Sequence, residues 1–187
     1  MDISELQTEL EKLHNASFGW ALSCCRHNRA EAEEVLQTVY LKVLQGKARY
    51  RGESKLQTWL FAVIRKTAVT EGRKSLLRAL KSVAVTNSTT GQINSDSRAD
   101  TKLERSEMQR RFQQTIEDLP PRQRETLHLV FYQDLTLREA AEVMSISLGS
   151  VRRHYERGKK KLREALAQEE VHYGVGWSRK ENSGAVL

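Results

Sequence analysis

The sequence predicts an all-α protein built from two small helical domains joined by a flexible linker, and three observations carry that prediction. Apolar residues recur at three- and four-residue spacing, and no stretch alternates apolar and polar residues long enough to make a strand. The only prolines, Pro120 and Pro121, are adjacent, so proline breaks no helix elsewhere. From Thr86 to Thr101, "TNSTTGQINSDSRADT" holds one Ile and one Ala among polar and turn-forming residues. Such a segment cannot bury enough surface to fold alone, so it separates two units. The expected division is a first domain over 1–82, a linker over 83–104, a second domain over 105–168 and a flexible tail over 169–187. The 187 residues suffice for a core in each domain.

In the first domain, a helix is expected from Ser4 to His27, with Leu6, Leu10, Leu13, Trp20, Ala21 and Cys24 at helical spacing. A second covers Ala30 to Gln45, with Val35, Leu36, Val39, Tyr40, Val43 and Leu44 on its apolar side. A third runs from Lys55 to Lys66. Trp59 lies among Leu56, Leu60 and Val63 on it and is assigned to the core. The small-residue stretch from Lys66 to Glu71 reads as a break, with helix resuming from Arg73 to Lys81.

The second domain is punctuated by its caps. Pro120 or Pro121 suits the first turn of a helix reaching Tyr132. Thr136 followed by Glu139 is a capping box opening the short helix "LREAAEVM". Ser145-Ile146-Ser147 forms a turn, and Ser147 caps the next helix. Ala141, Ser145 and Val151 then stand where a helix-turn-helix needs a small residue, a turn and a buried apolar residue. The last helix carries Arg152, Arg153, Arg157, Lys159, Lys160, Lys161 and Arg163 against one acid, Glu156, before Glu164. That density of cations suits a phosphate-lined groove. Ser145 holds a position usually given to Gly, which costs little if its backbone avoids left-handed space. Gly158 interrupts the basic helix and weakens it by roughly 1 kcal/mol.

Charge and composition narrow the function. Thirty-one Lys and Arg against 24 Asp and Glu give a net charge of +7, which favours a polyanionic partner. No run of about 18 apolar residues offers a membrane span, and the N-terminus lacks the basic-then-apolar layout of a signal peptide, so a cytoplasmic location is expected. Cys24 and Cys25 are adjacent, which rules out a disulfide framework. Neighbours on one helix should not both point inward, and with His27 they do not make a metal site. No nucleophile–base pairing or Gly-rich phosphate loop is recognisable. The expectation is a non-enzymatic protein without cofactor or metal.

Three stretches in order, "AEAEEVLQTVYLKVL", "YRGESKLQTWLFAVIRK" and "LPPRQRETLHLVFYQDLTLREAAEVMSISLGSVRRHYERGKKKLREAL", resemble the extracytoplasmic-function (group IV) sigma factors of bacterial RNA polymerase. The likeness spans about Leu10 to Leu166. It implies two helical domains, regions 2 and 4, without a catalytic site. It also implies binding of core polymerase through the β′ clamp and β flap, recognition of −35 and −10 promoter elements, promotion of DNA melting, and commonly an anti-sigma partner.

On the family pattern, Glu31 to Gln37 form the helix that docks on the β′ clamp, with Thr38 replacing a Glu. Glu33, Glu34, Gln37, Tyr40 and Leu41 are the implied core contacts. Tyr50, Arg51, Gly52, Glu53, Ser54, Thr58, Trp59 and Leu60 match the start of the melting surface. The implied −10 contacts are Arg51, Arg65, Lys66, Thr67, Ala68, Val69, Thr70 and Arg73, with the break at 66–71 receiving a flipped base. The implied −35 contacts are Ser150, Arg152, Arg153, Glu156, Arg157 and Lys160. Glu156 either accepts from a cytosine amino group or pairs with Lys160. The competing reading is an autonomous helix-turn-helix regulator that binds DNA without polymerase, and the strand-melting pattern in region 2 weighs against it.

Overall fold

Helix propensity and caps account for most element boundaries in the computed structural model, which describes residues 3–83 and 114–173. Apart from Val83, the expected linker lies outside the described residues, as does the chain beyond Tyr173. The first expected helix is divided into α1 (Ile3–Lys12) and α2 (His14–Cys24). The division is a local distortion at Leu13, because the backbone ladder crosses it through Leu13 N–H to Glu9 O and Ser17 N–H to Leu13 O. The helix also stops before His27. Arg26 and His27 take left-handed φ values of 52° and 63°, which reverses the chain. Asn28 can then cap α3 (Arg29–Leu44), its side chain accepting from Glu31 N–H at 3.2 Å. Because the chain turns at Cys25, both thiols are drawn in, Cys25 buried and Cys24 half-buried, contrary to the expectation for neighbours on one helix.

The larger correction concerns the third helix. No break occurs at 66–71: α4 runs without interruption from Leu56 to Val83. Packing holds the stretch helical. Thr67 and Ala68 turn inward and are buried, and Lys42 of α3 donates to the Thr67 hydroxyl at 3.3 Å. Small residues here let α3 and α4 approach rather than opening a loop. Leu60, Phe61 and Ile64 fill the core beneath, with Val35, Val39 and Val43 of α3 and Trp20 and Ala21 of α2.

A single helical turn at 114–117 leads into α5 (Pro121–Phe131), which has Pro121 in its first turn. Next come α6 (Leu137–Met144) and α7 (Leu148–Tyr173). The Thr136–Glu139 capping box forms as expected, and Ser147 accepts from Ser150 N–H at 3.2 Å. Helix α7 continues to Tyr173, past the Glu169 where the tail was expected to begin. Gly158 has a packing reason: a Cβ there would lie 2.9 Å from Cδ1 of the buried Leu127. Its absence lets α5 and α7 close on each other.

The two units share one continuous apolar cluster, with α4 against α6 and α2 against α5. Trp20 is fully buried at this junction, near Phe61 on one side and His128 on the other.

Ser145 does adopt the left-handed conformation, with φ 52° and ψ 47°, so the turn carries strain that Gly would not. Ser145→Gly should therefore raise unfolding free energy by about 1 kcal/mol, the relief of strain exceeding the extra unfolded-state entropy of Gly. Urea denaturation monitored by circular dichroism measures this; an unchanged or lower midpoint would refute it.

Candidate nucleic-acid and polymerase interface

Helix α3 buries Ala32, Val35, Leu36, Val39 and Val43. Its opposite face leaves Glu33, Glu34 and Gln37 exposed, with Leu41 50% and Leu44 43% exposed beyond them. Four of the five expected core-binding residues thus form one acidic-to-apolar stripe. Glu33 is engaged by Arg29 at 2.8 Å. Tyr40 is half-buried and faces His14, its hydroxyl 3.2 Å from Nδ1. Burial raises its pKa, which keeps the phenol neutral.

The expected −10 residues on α4 divide into three groups. Lys66, Val69, Thr70 and Arg73 are exposed and follow one stripe of α4 at three- and four-residue spacing. Thr67 and Ala68 face the core, so they cannot line a base pocket. Arg65 is also turned away from solvent. Its side chain is only 13% exposed, donates from Nε to Glu125 at 3.1 Å, and reaches the carbonyl of Met144 at 3.3 Å. Lys55, just before α4, meets Glu139 at 2.8 Å. Both acids belong to the second unit, so these pairs join the two halves of the molecule. Lys55 and the threonine cap hold the Glu139 carboxyl down at about 2.

A concave site does exist, but in the α3–α4 loop. A cavity of about 510 Å³ is lined by Gly46, Lys47, Arg49, Tyr50, Arg51, Glu53, Ser54 and Trp59. Tyr50 and Trp59 stand with ring centroids 5.4 Å apart, so Trp59 is a half-buried wall of the cavity rather than a core residue alone. The Tyr50 hydroxyl donates to the carbonyl of Ser54, which holds the loop in shape. Three cations against the one acid Glu53, around two rings, suit a strand of unpaired bases and their phosphates. The signal was present in the sequence as "GKARYRG", but Lys47 and Arg49 drew no attention because they lie outside any helix.

On α7, Arg152, Arg153, Glu156, Arg157 and Lys160 are exposed and Ser150 is half-exposed. Ser150 lies 2.9 Å from the Ser147 hydroxyl and accepts from Arg153 Nη2 at 3.4 Å, orienting that guanidinium at the start of the helix. Glu156 pairs with Lys159 at 3.5 Å, while Lys160 pairs with Glu164 at 3.7 Å, so the expected Glu156–Lys160 contact is replaced. Burial and the nearby Arg122, Arg153 and Arg157 lower the His154 pKa, leaving the positive charge to the arginines.

The thiols lack the character of reactive groups. Burial raises Cys24 well above the usual thiol range and Cys25 to about 11. Among the described residues, no helix is long and apolar enough to cross a membrane.

A helix-turn-helix with a cationic second helix, beside a helical unit with a cationic, aromatic-lined cavity, defines a DNA-reading transcription protein. Two family descriptions match in chain order: Sigma-70 region 2 over residues 10–84, and Sigma-70, region 4 over residues 115–164. The chain belongs to the sigma-70 family and is a sigma factor of the extracytoplasmic-function type, a transcription initiation factor that binds core RNA polymerase and recognises promoters. It is 28% identical over 148 residues to RNA polymerase sigma-H factor of Pseudomonas aeruginosa, covering 75% of each chain. It is 25% identical over 163 residues to ECF RNA polymerase sigma factor SigX of Bacillus subtilis, covering 85% of this chain and 84% of that one. In fold it is similar to sigma factor RpoE from Bartonella quintana, solved with anti-sigma factor NepR: TM-score 0.66, 20% identity, 87% and 97% coverage. It is similar also to CnrH, solved with the cytosolic domain of CnrY: TM-score 0.56, 17% identity, 86% and 87% coverage.

His128 gives the junction between the units a pH dependence. Burial, and secondarily His27, lower its pKa from 6.5 to about 4. The unfolded chain therefore takes up this proton first as pH falls. Stability from the neutral imidazole is complete above about 6.5 and drains away between there and about 4. Glu139 acts lower, between its ordinary 4.5 and about 2. His128→Phe keeps a ring between Trp20 and Tyr132 while removing the titration. Its unfolding free energy should fall less than the wild type's between pH 7 and pH 4.5 in urea titrations; equal losses would remove His128 as the source.

Proposed function

We propose that the three exposed surfaces divide the work of initiation as follows. Glu33, Glu34, Gln37 and Leu41 contact the β′ clamp, with Tyr40 bracing the helix from behind. The α7 face from Ser150 to Arg157 reads the −35 element and Lys160 contacts phosphate, while region 4 as a whole meets the β flap. Lys66, Thr70, Arg73 and Arg51 hold the −10 non-template strand and so promote melting. The unpaired −10 base enters the α3–α4 loop cavity, not the 66–71 segment. The observation that carries this reading is the cavity itself, whose volume, two rings and three cations suit one nucleotide of a separated strand.

Region 2 is assigned to 1–82, a linker to 83–104, region 4 to 105–168 and a tail to 169–187. The end of the region 2 match at residue 84 supports the first of these bounds, and the region 4 match, over 115–164, falls inside the span assigned to region 4. The protein works in the cytoplasm, where polymerase and promoter are, and catalyses no reaction itself. Two similar structures hold a sigma factor with an anti-sigma partner, which supports such a partner here. A −10 and a −35 element lie about 25 base pairs apart, or roughly 85 Å of duplex at about 3.4 Å per pair. The Arg65–Glu125 and Lys55–Glu139 pairs hold the two readers on one compact body, so these contacts release when the promoter is bound.

Two experiments test the assignments. Replacing Glu33 and Glu34 together by Lys should abolish assembly with core polymerase in a pull-down while leaving helical content unchanged, since solvated carboxylates contribute little to folding. Assembly at wild-type affinity would remove α3 as the docking helix. Tyr50→Ala combined with Arg49→Ala should leave core binding and closed-complex formation intact but reduce promoter opening by about fivefold or more, as read by permanganate reactivity of the −10 region. Losing a stacking contact worth about 1–3 kcal/mol sets that scale. Thr67→Val, inside the core, should leave opening unchanged; the reverse pattern would return the pocket to the 66–71 segment.

A further inference from the structure

The junction between the two units holds a second cavity that neither DNA nor the polymerase contacts proposed above account for. It measures about 740 Å³, inside the range of about 300–1,000 Å³ usual for small-molecule sites, which often lie where two units meet. Leu22 of α2, Ile116 of the 114–117 turn, Leu127 of α5 and Leu162 of α7 line it. Phe131 and Tyr132 line it too, yet stay 54% and 61% exposed, so its aromatic surface is open to an apolar ligand.

The charged groups of the cavity identify the ligand. Arg124, Lys159 and Arg163 stand against one acid, Glu117. Arg124 is only 8% exposed, and its Nε has no hydrogen-bond partner. Its Nη1 donates at 3.0 Å to the backbone carbonyl of Glu117, a neutral acceptor. The nearby carboxylates are engaged elsewhere: Glu117 with His27 at 3.9 Å, and Glu125 with Arg65 at 3.1 Å. A buried guanidinium without a counter-ion is costly, and an anion placed beside it relieves that cost. Lys159 is met by Glu156 at 3.5 Å, and Arg163 is exposed. Neither belongs to the residues assigned to the −35 element. A phosphate ester would call for several converging donors, whereas one buried guanidinium beside an apolar body suits a single carboxylate carrying hydrocarbon.

We propose that this cavity binds a free amphipathic carboxylic acid of fatty-acid size. Its hydrocarbon lies against Leu22, Leu127 and Leu162, and its carboxylate meets Arg124, with Lys159 and Arg163 beside it. Leu22 belongs to one unit and Arg124 to the other, so the complete site exists only while the units are together. The bound acid therefore favours the compact arrangement and opposes the separation needed to span both promoter elements. That second step rests on the release of the Arg65–Glu125 and Lys55–Glu139 pairs proposed above; the binding itself does not.

The test uses the full chain and dodecanoate below its micellar concentration, with dodecylamine as a cationic control of equal length. Calorimetry should show dodecanoate bound at one site per chain and dodecylamine bound at least tenfold more weakly. Arg124→Met should weaken dodecanoate binding at least tenfold, and Arg124→Lys, which restores the charge, should recover most of it. Leu162→Trp, which fills the cavity from α7, and the double variant Lys159→Gln/Arg163→Gln should each weaken binding as well. These half-buried and exposed positions decide the matter if Arg124→Met does not fold. Absence of saturable binding, equal binding of the amine, or undiminished binding to the folded variants would overturn the site. Saturating dodecanoate should also weaken holoenzyme binding to a duplex bearing both elements while leaving the free chain's binding to an isolated −35 duplex unchanged. Loss on the isolated −35 duplex as well would overturn the linkage, since the acid would then act on region 4 alone. If dodecanoate binds and the two-element duplex is held as before, the release reading fails while the site stands.

Discussion

The indole of Trp20 is the joint on which the described structure turns. It is fully buried, its N–H donates to the carbonyl of Phe61 at 3.0 Å, and its ring lies 6.1 Å from Phe61 and 5.4 Å from His128, centroid to centroid. One side chain therefore fixes α2 against α4 within region 2 and also meets α5 of region 4. A buried indole N–H without a partner costs about 1–3 kcal/mol, so the hydrogen bond specifies where along α4 the contact falls. That register decides which faces of α4 point outward, and hence where the DNA-facing stripe lies.

Helix α4 serves three neighbours at once. Leu60, Phe61, Ile64, Thr67 and Ala68 pack inward, Arg65 reaches region 4, and Lys66, Thr70 and Arg73 remain in water. A helix contacted on several sides has no clean apolar stripe, which is why its sequence reads as interrupted. Threonine, alanine and valine in succession look like a break when only one face is expected to be buried. Thr67 and Ala68 are instead the small residues that let α3 come close, while Val69 faces solvent.

Region 4 is governed more locally. The Thr136 capping box, the Ser147 cap and Pro121 in the first turn each satisfy free backbone groups with nearby side chains. Its two departures from the usual pattern have different standing. Gly158 suits the close approach to Leu127, whereas Ser145 sits in left-handed space and bears the strain. The acids Glu125 and Glu139, which this region offers to Arg65 and Lys55, tie its packing to that of region 2.

The sequence by itself determined the all-α class, the helix-turn-helix with its caps, the acidic face of α3 and the basic face of α7. Those features follow from periodicity and from contacts within a few residues, where a side chain's partners are set by its neighbours in the chain. It did not determine that α4 is unbroken, that Thr67 and Ala68 are buried, or that Arg65 is withdrawn from solvent. Nor did it separate Lys47 and Arg49 from any other exposed cations, although both were plain in the sequence. Only the tertiary structure decided these: Thr67 depends on Lys42 and Arg65 on Glu125, both far away in the chain, and the cavity depends on how the loop folds against the Tyr50–Trp59 wall. Local pattern records how much apolar surface a helix must bury, but which neighbour buries it is settled only when the helices pack.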